Sequence, residues 1–422
     1  MEIIGFKITL ALKMMRINGD RLWQRLMDMA QIGATPKGGV NRVALSDEEK
    51  AGRELFIQWC KAAGCTVEID QIGNIFARRA GSNPELPAIL MGSHLDSQPT
   101  GGKFDGTYGV LAGLEVIETL NDHQISTQHP IEVVSWTNEE GARFAPGLTG
   151  SAVFIGRMSL EEAYATPDKK GILLGNELER IEQKGSIQVG NRAYKASFEV
   201  HIEQGPILEQ KKLNIGVVTD VQGTRWYDIL IHGKETHAGT TPMDIRIDPV
   251  KASINILQGL YEIGDRYAPH ARVTVGYLDA SPGVKNTVPG LLKVSLDMRV
   301  PNSDTLQSMH EDLLSIVASN NANSPAKAEL VEIMHSPPVA FDSHCISAVE
   351  KASQQLGFSY QKMISGAGHD AALIAKVAPT SMIFIPCKDG LSHNELESAT
   401  PIDVANGADV LLHAILEMDK KE

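Results

Sequence analysis

Short apolar runs alternate with amphipathic segments through the first half of the chain. Ala88–Met91, Ile131–Trp136 and Phe198–Ile202 are short and mostly apolar, which predicts buried β-strands. Asp47–Cys60 and Gly109–Asn121 repeat apolar residues at helical spacing and predict helices. This alternation favours an α/β domain with a mainly parallel sheet and helices on both faces.

The pattern changes after about residue 222. The predicted order is strand Trp226–His232, helix Pro249–Ile263, strands Val273–Leu278 and Leu292–Val300, helix Asp304–Ser319 and strand Ala328–Met334. A β-α-β-β-α-β order is typical of a ferredoxin-like α+β domain with an antiparallel sheet.

After Phe341 the first pattern returns, with predicted helices Ala348–Leu356 and Asp370–Lys376 and strand Ser381–Pro386. We therefore predict that one domain is inserted into another. Residues 15–221 and 340–422 are expected to form the outer domain, and residues 222–339 the inserted domain.

Composition narrows the class of protein. A chain of 422 residues favours two domains, and a net charge of -13 argues against nucleic acid as a partner. The four cysteines, which form no C-x-x-C pair, favour a reducing cytoplasm over a disulfide framework. No apolar stretch approaches the length of a membrane span, so no membrane partner is expected. The first fourteen residues make a poor signal peptide, and we assign them no function.

Histidines and acids follow the predicted strands of the outer domain. Because ligands bind outside the carboxyl ends of strands in open α/β sheets, these side chains are expected to meet at one edge. They are His94, Asp96 and Asp105 after the first of these strands, Glu139 and Glu140 after the next, His201 and Glu203 at the end of the third, and His393 after the last.

Imidazole and carboxylate ligands without thiolate suit zinc, manganese, cobalt or nickel. The set exceeds the needs of one ion, but it suits two ions roughly 3.5–4 Å apart that share a carboxylate. Such a pair lowers the pKa of a water molecule, and a spare carboxylate then takes the proton. The adjacent Glu139 and Glu140 offer one ligand and one base.

Each residue alone also has an ordinary explanation. His94 could be a core or surface histidine, and Asp105 with Gly106 could start the following helix. Glu139 and Glu140 could be a solvated pair, and His393 could neighbour a helix cap. Their joint occurrence at strand ends favours the metal site.

Other catalytic patterns are weaker. The nucleophile elbow G-x-S-x-G is absent. Gly366-Ala-Gly-His-Asp-Ala matches G-x-G-x-x-A, but no clear strand is predicted before it. Cys345 beside His344, or Cys387 near His393, stays open as a cysteine nucleophile.

Five motifs carry a family resemblance. They are Gly92-Ser-His-Leu-Asp-Ser, Gly102-Lys-Phe-Asp-Gly-Thr, Trp136-Thr-Asn-Glu-Glu-Gly-Ala-Arg-Phe, His201-Ile-Glu-Gln-Gly-Pro and Leu391-Ser-His-Asn-Glu. These motifs resemble the aminoacylase-like, M20-type superfamily of two-metal peptidases and amidohydrolases, and the resemblance extends from about Asp20 to Leu416. Within that superfamily the chain resembles the branch of N-carbamoyl-L-amino-acid hydrolases, beta-ureidopropionases and allantoate amidohydrolases.

The resemblance implies roles for these residues. The ligands of two divalent ions (Zn, Mn, Co or Ni) would be His94 and His201 for one ion, Glu140 and His393 for the other, and Asp105 between them. Glu139 would be the general base, and Asp96 would orient His94 through its other ring nitrogen. Histidine at position 201 points away from plain peptide cleavage, since aminopeptidase-like relatives usually carry an acid there.

The resemblance also implies that the inserted domain is a dimerisation lid. His237, in Gly233-Lys-Glu-Thr-His-Ala-Gly, would stabilise the oxyanion in the partner subunit's site, although without the resemblance a histidine in a strand-end turn is the simpler explanation. Asn286 and Arg299 would bind the substrate carboxylate, the latter through its bidentate fork. An ion pair between Arg299 and Asp297 is the alternative. Gln204 would contact the ureido or carboxylate end, and His369 would face the pocket.

The resulting hypothesis is a cytoplasmic, homodimeric, binuclear-metal amidohydrolase. It would hydrolyse the carbamoyl C–N bond of N-carbamoyl amino acids to amino acid, carbon dioxide and ammonia. The close alternative is an allantoate or ureidoglycolate amidohydrolase, followed by an M20-type peptidase or a catalytically silent binding protein. The native metal, the side-chain preference and the choice between alpha- and beta-amino acids stay open.

Overall fold

The computed structural model describes residues 15–420, which form two compact units. One unit runs to Thr219 and resumes at Phe341, and the other spans Asp220–Ala340. The first fourteen residues, to which no function was assigned, lie outside the described part. None of the helices between residues 15 and 420 combines the length and apolar character that crossing a bilayer requires.

Helices and strands alternate along the outer unit, as its hydrophobic pattern predicts. The elements of both units are numbered together in chain order. The helices are α1 (Gly19–Met29), α2 (Asp47–Ala62), α3 (Thr107–Asp122), α4 (Thr149–Phe154), α5 (Leu160–Tyr164), α6 (Leu174–Arg180), α7 (Ile207–Lys211), α8 (Pro249–Arg266), α9 (Ser303–Asn323), α10 (Ser343–Leu356), α11 (Asp370–Ile374) and α12 (Pro401–Met418). The strands are β1 (Thr66–Ile69), β2 (Ile75–Arg79), β3 (Ala88–His94), β4 (Ile131–Trp136), β5 (Tyr194–Ile202), β6 (Ile215–Val221), β7 (Gly223–His232), β8 (Thr236–His237), β9 (Arg272–Ser281), β10 (Thr287–Val288), β11 (Leu291–Val300), β12 (Lys327–Ser336), β13 (Val339–Ala340), β14 (Tyr360–Ser365) and β15 (Thr380–Ile385).

The large sheet has the strand order β1-β2-β4-β3-β5-β15-β6-β13, and β14 pairs with β6. The central strands β4, β3, β5 and β15 are parallel, whereas β2 and β6 join them antiparallel. The prediction of an α/β fold with a mainly parallel sheet is therefore confirmed. The parallel arrangement sends the carboxyl ends of the central strands to one edge.

Helices cover both faces of this sheet. Ile89 and Met91 of β3 belong to the same core cluster as Leu111 of α3. Their neighbours Ala88 and Leu90 pack on the opposite face. Burial on both faces explains why this strand is continuously apolar and shows no alternation.

The inserted unit contains an antiparallel sheet of strand order β12-β7-β11-β9. Residues of β11 alternate between buried and half-buried, and the buried face shares one core with Ile256 of α8 and Leu313 of α9. With a β-α-β-β-α-β chain order, this is a ferredoxin-like arrangement. The short strands β8 and β10 form a separate pair with His237 opposite Thr287.

The hydrophobic pattern predicted some elements too short and missed others. β3 continues past Met91 to His94, because Gly92-Ser-His pairs with β4 until His94 lies opposite Trp136. The expectation that no clear strand precedes Gly366 is wrong, since β14 ends at Ser365. The helix that follows, α11, has only 5 residues.

Candidate metal centre

The parallel strands bring the predicted ligands together in the outer unit. Among residues 15–420, three groups of potential ligands have their ligand atoms within 4.8 Å of one another. Glu199, His201 and His369 form one that lies behind the other two. Of these two, the first group is His94, Asp105 and His201, and the second is Asp105, Glu140 and His393. Asp105 belongs to both, so the arrangement has the form of two adjacent sites with one shared carboxylate.

In the first group, both imidazoles direct the same nitrogen to the shared acid. His201 Nε2 lies 3.0 Å and His94 Nε2 lies 3.6 Å from Asp105 Oδ1. His94 Nδ1 lies 2.9 Å from the backbone carbonyl oxygen of Asp96, and His201 Nδ1 lies 2.9 Å from that of Ile202. A ring nitrogen that faces a carbonyl carries a proton, so in the neutral form of each ring it is Nε2 that has a lone pair for a metal ion.

The second group is more open. His393 Nε2 lies 3.2 Å from Glu140 Oε2 and 3.6 Å from Asp105 Oδ2. The side-chain amide of Gln98 donates to Glu140 Oε2 at 2.8 Å. The His393 side chain is 53% exposed, which leaves this side of the centre accessible from solvent.

Gly106 allows the close approach of Asp105 and the two histidines. It has φ 64° and is the N-cap of α3, without a side-chain cap. A Cβ atom here would lie 2.3 Å from Cε1 and Nε2 of His94. The simpler explanation for Asp105 was that it starts the helix. Its carboxylate does not cap α3, however, but faces the two imidazoles.

Asp96 connects His94 to the glutamate pair. Its carboxylate accepts the backbone N–H groups of Glu139 and Glu140 at 3.2 and 3.1 Å. Its own backbone carbonyl contacts His94 Nδ1, whereas its carboxylate is 3.6 Å from that nitrogen. Asp96 thus orients His94 mainly through its main chain and positions the glutamates with its side chain.

Glu139 lies beside the first group with its side chain 11% exposed, and its Oε2 is 3.5 Å from His94 Nε2. The preceding Asn138 has φ 54°, and its side-chain amide donates to Phe144 O and Thr149 Oγ1, both at 2.7 Å. Gln204 and His393 are also left-handed, with φ 57° and 53°. Such backbone conformations cost free energy and cluster at functional sites.

The electrostatics of the cluster favour bound positive charge. Burial alone would lower the pKa of His94, but the acids around it, Glu139 foremost, raise this pKa well above its ordinary value. Burial would raise the pKa of Asp105, but His201 and His94 hold it well below. Burial raises the pKa of Glu139 well above the usual range. Divalent cations can supply the positive charge that these carboxylates attract, and a donor set of nitrogen and oxygen suits them.

Sequence reasoning missed several acids behind the ligands. Glu397 Oε1 accepts the backbone N–H groups of Phe104 and Asp105 at 2.9 and 3.1 Å, and Ser392 Oγ donates to Asp105 Oδ2 at 2.7 Å. Deeper in the core, Glu199 accepts from Ser93 Oγ at 2.6 Å. The buried Asp370 accepts from the Ser151 hydroxyl. Glu199 lies two residues before His201 on β5 and so shares its face, a signal that was available in the sequence.

Two predicted substrate residues lie at the same centre. Gln204 Nε2 donates to Asp105 Oδ2 at 2.9 Å, while its Oε1 is buried without a hydrogen-bond partner in the described chain. His369 lies behind His201, with ring centroids 4.7 Å apart, and its Nε2 is 3.0 Å from Ser365 Oγ. Burial lowers the pKa of His369 well below its ordinary value, which keeps the ring neutral.

The remaining predicted residues belong to the inserted unit. His237 is exposed, and the Ala238 N–H that follows it donates to the Asn286 carbonyl at 2.8 Å, so these two segments are adjacent. Arg299 donates to Asp297 from Nε at 3.0 Å and from Nη2 at 2.8 Å. The ion pair considered as the alternative for Arg299 is therefore present.

A cysteine nucleophile is poorly supported. Cys345 and Cys387 are both buried, and burial raises the pKa of each thiol to about 12. A thiol is nucleophilic as the thiolate, so these side chains are unreactive near neutral pH.

The chain is similar to known proteins along nearly its whole length. Residues 90–417 match the peptidase family M20/M25/M40. The chain is 45% identical over 402 residues to an N-carbamoyl-L-amino-acid amidohydrolase of Rhizobium meliloti, across 95% of this chain and 97% of that protein. It is 33% identical over 380 residues to an allantoate amidohydrolase of Bacillus subtilis, across 89% and 92% of the two chains. The crystal structure of an amidase of the hydantoinase/carbamoylase family from Burkholderia multivorans matches with a TM-score of 0.91 and 50% identity, across 96% and 98% of the two chains.

Fold, site and comparisons together define a metal-dependent hydrolase of C–N bonds other than peptide bonds. The chain belongs to the peptidase family M20/M25/M40, in its branch of carbamoyl amino acid and allantoate amidohydrolases. The resemblance recognised in the sequence motifs is confirmed.

Proposed function

We propose that this enzyme hydrolyses the carbamoyl C–N bond of N-carbamoyl-L-amino acids and releases the amino acid, carbon dioxide and ammonia. The observation that carries the proposal is the pair of ligand groups that share Asp105, with Glu139 beside them. The Rhizobium meliloti relative, named for this activity, supports the substrate class.

Two divalent ions would be held by His94, His201, Asp105, Glu140 and His393. When bound, they would supply a water molecule of lowered pKa and polarise the carbonyl group of the substrate. Zinc, manganese, cobalt and nickel all suit the nitrogen and oxygen donors. The Nε2 atoms of His94 and His201 already face the shared acid, which reduces the reorganisation that binding requires.

The chain's own residues then handle protons and charge. Glu139 takes a proton from the attacking water and returns it to the leaving nitrogen. His237 donates a hydrogen bond to the oxygen that becomes negative in the transition state. Asn286 and Arg299 bind the substrate carboxylate, for which Arg299 exchanges its partner Asp297. Gln204 offers its unpaired Oε1 to the N–H groups of the ureido end.

We further propose a homodimer formed through the inserted unit, with His237 serving the partner subunit's site. The outer face of α8 exposes Val250, Ile254 and Tyr261, which are 43, 61 and 54% exposed. Their helical spacing forms an apolar stripe, and contiguous exposed apolar surface often marks a protein interface.

A substrate panel tests the reaction. Metal-free protein reloaded with each candidate ion is given N-carbamoyl-L-amino acids, N-carbamoyl-beta-alanine, allantoate and a dipeptide, and ammonia and amino-group release are measured. We expect turnover of N-carbamoyl-L-amino acids that depends on the ion. Glu139→Gln should lower kcat at least about 100-fold, because the proton acceptor is lost. Full activity in the metal-free protein or in Glu139→Gln would contradict the mechanism.

Allantoate is the second candidate substrate, because the Bacillus subtilis relative is named for it. Allantoate also carries a carboxylate and ureido groups, so the same binding residues could hold it. A kcat/KM for allantoate above that for every carbamoyl amino acid would replace the first assignment by this one. Lack of turnover of all four substrates with metal bound would instead favour a binding protein.

A further inference from the structure

His237 lies in a turn that the inserted unit holds from several sides. β8 pairs with β10 so that His237 faces Thr287. The Thr241 N–H donates to the His237 carbonyl at 3.1 Å, which closes the turn. The Gly239 N–H donates to His237 Nδ1 at 3.1 Å. Since Nδ1 is an acceptor there, the neutral imidazole carries its proton on Nε2 and can donate from that atom.

Arg246 closes the other side of this turn. Its Nη2 donates to the Ala238 carbonyl at 2.6 Å, and its Nε donates to the Thr241 carbonyl at 3.0 Å. The guanidinium therefore spans the first and last parts of the turn that begins at His237. Among residues 15–420, no carboxylate lies within ion-pair distance of Arg246, so the hydrogen bonds of this half-buried side chain go to the turn.

The rest of the segment offers few other restraints. Between β8 and α8 it contains only the short 3-10 turn Met243–Ile245. Lys234 N–H donates to the Ile247 carbonyl at 2.9 Å, which ties the base of the segment but not its tip. The charged guanidinium of Arg246, near the end of the segment, is thus the group that holds the turn 237–241 at its tip. Hydrogen bonds from charged donors are stronger than those between neutral groups.

We propose that Arg246 is a positioning residue for catalysis. It holds the turn 237–241 in the conformation from which His237 Nε2–H meets the developing oxyanion. This inference rests on the proposed function, in which His237 donates that hydrogen bond. Arg246 itself touches neither substrate nor the reacting atoms.

Steady-state kinetics of Arg246→Gln on an N-carbamoyl-L-amino acid tests the proposal in the metal-loaded, full-length enzyme. We expect kcat to fall about 10- to 100-fold with KM nearly unchanged, because the affected hydrogen bond forms in the transition state. Arg246→Lys should lose less, since an ammonium can reach one of the two carbonyls. Because a lysine is less disruptive, it also serves if Arg246→Gln does not fold.

Arg272→Gln is the matched control. Arg272 is also in the inserted unit, and its Nη1 donates to the carbonyls of Pro269 and Ala271 at 2.7 and 2.9 Å, in a turn without His237. This variant should keep the wild-type kcat. An equal loss in Arg272→Gln and Arg246→Gln would mean that any cross-linked turn of the unit matters, and would overturn the proposal.

A double-mutant cycle separates this proposal from the one it rests on. In a His237→Ala background, Arg246→Gln should cause no further loss, because both changes remove the same interaction. Losses that multiply would show that Arg246 acts independently of His237. A normal kcat for His237→Ala would refute the proposed role of His237 itself. A large loss for His237→Ala with none for either Arg246 variant would overturn only the role of Arg246.

Discussion

Substitution of Gly106 by alanine probes the cradle that brings the two ligand groups together. The added Cβ would lie 2.3 Å from Cε1 and Nε2 of His94 and 2.4 Å from Cδ2. Carbon atoms in favourable contact are about 3.5–4.0 Å apart, so the imidazole has to move by roughly 1 Å. The displaced part of the ring includes Nε2, the nitrogen that faces Asp105.

Two effects of this substitution can be separated by magnitude. Alanine at a positive φ costs about 1–2 kcal/mol of folding free energy. A displacement of about 1 Å in an active site can cost on the order of 100-fold in rate. We therefore expect Gly106→Ala to fold with a modest loss of stability but to lose roughly 100-fold in kcat/KM. Its affinity for metal should also fall, since one histidine is displaced from its ligand position.

Gly357→Ala is the matched control, because Gly357 also has a positive φ, 73°, but a Cβ there would have no atom within 4 Å. For each purified variant, elemental analysis gives the metal content and urea titration gives the free energy of unfolding. Steady-state kinetics on the best substrate gives kcat/KM. Gly357→Ala should show the stability loss alone. If Gly106→Ala retained the metal content and kcat/KM of Gly357→Ala, the inferred contact between Gly106 and His94 would be wrong.

Three further predictions follow from other parts of the structure. Glu397→Ala should lower metal affinity and kcat/KM at least about tenfold, since two buried N–H groups lose their acceptor, whereas Glu397→Gln should keep most activity. Co-expression of Glu139→Gln with His237→Ala should restore about one quarter of wild-type activity if His237 serves the partner subunit's site, and no activity if it serves its own. Burial raises the pKa of Asp70 to about 6, above that of the unfolded chain, so the folded state binds this proton more tightly. Stability should therefore fall as the pH rises from about 4 to about 6, and urea titrations of Asp70→Asn should show a smaller fall.

Strand β3 shows how much of an element can be predicted from the hydrophobic pattern of its own residues. Its apolar run predicted a strand of a mainly parallel sheet, and β3 lies in the middle of that sheet. The position of its end was misjudged, because Gly92, Ser93 and His94 look polar or flexible in isolation. Pairing with β4 keeps them in the strand until Trp136. The backbone hydrogen bonds of a neighbouring strand are not visible in the residues of the strand itself.

The acids behind the ligands illustrate the same limit. Ser392 contacts Asp105 across 287 positions of sequence, and Glu397 contacts the Asp105 N–H across 292. Ser392 lies in one of the sequence motifs, beside His393, but no spacing along the sequence relates either Ser392 or Glu397 to Asp105. Arg246 is a comparable case, since an arginine in a polar loop is ordinarily a solvated side chain. Only the folded path of the loop brings its guanidinium to the carbonyls of Ala238 and Thr241.

The sequence by itself determined which donors reach the edge of the sheet. Apolar periodicity defines the strands, parallel pairing sends their carboxyl ends to the same side, and His94, Glu140, His201 and His393 stand at or beyond those ends. The tertiary structure decided which nitrogen of the His94 and His201 rings faces Asp105. It also decided which backbone carbonyl accepts a hydrogen bond from the other nitrogen of each ring. It also decided that the Asp96 carboxylate serves the glutamate pair more than His94. These choices depend on contacts between segments far apart in sequence, and such contacts are fixed only when the whole core is packed.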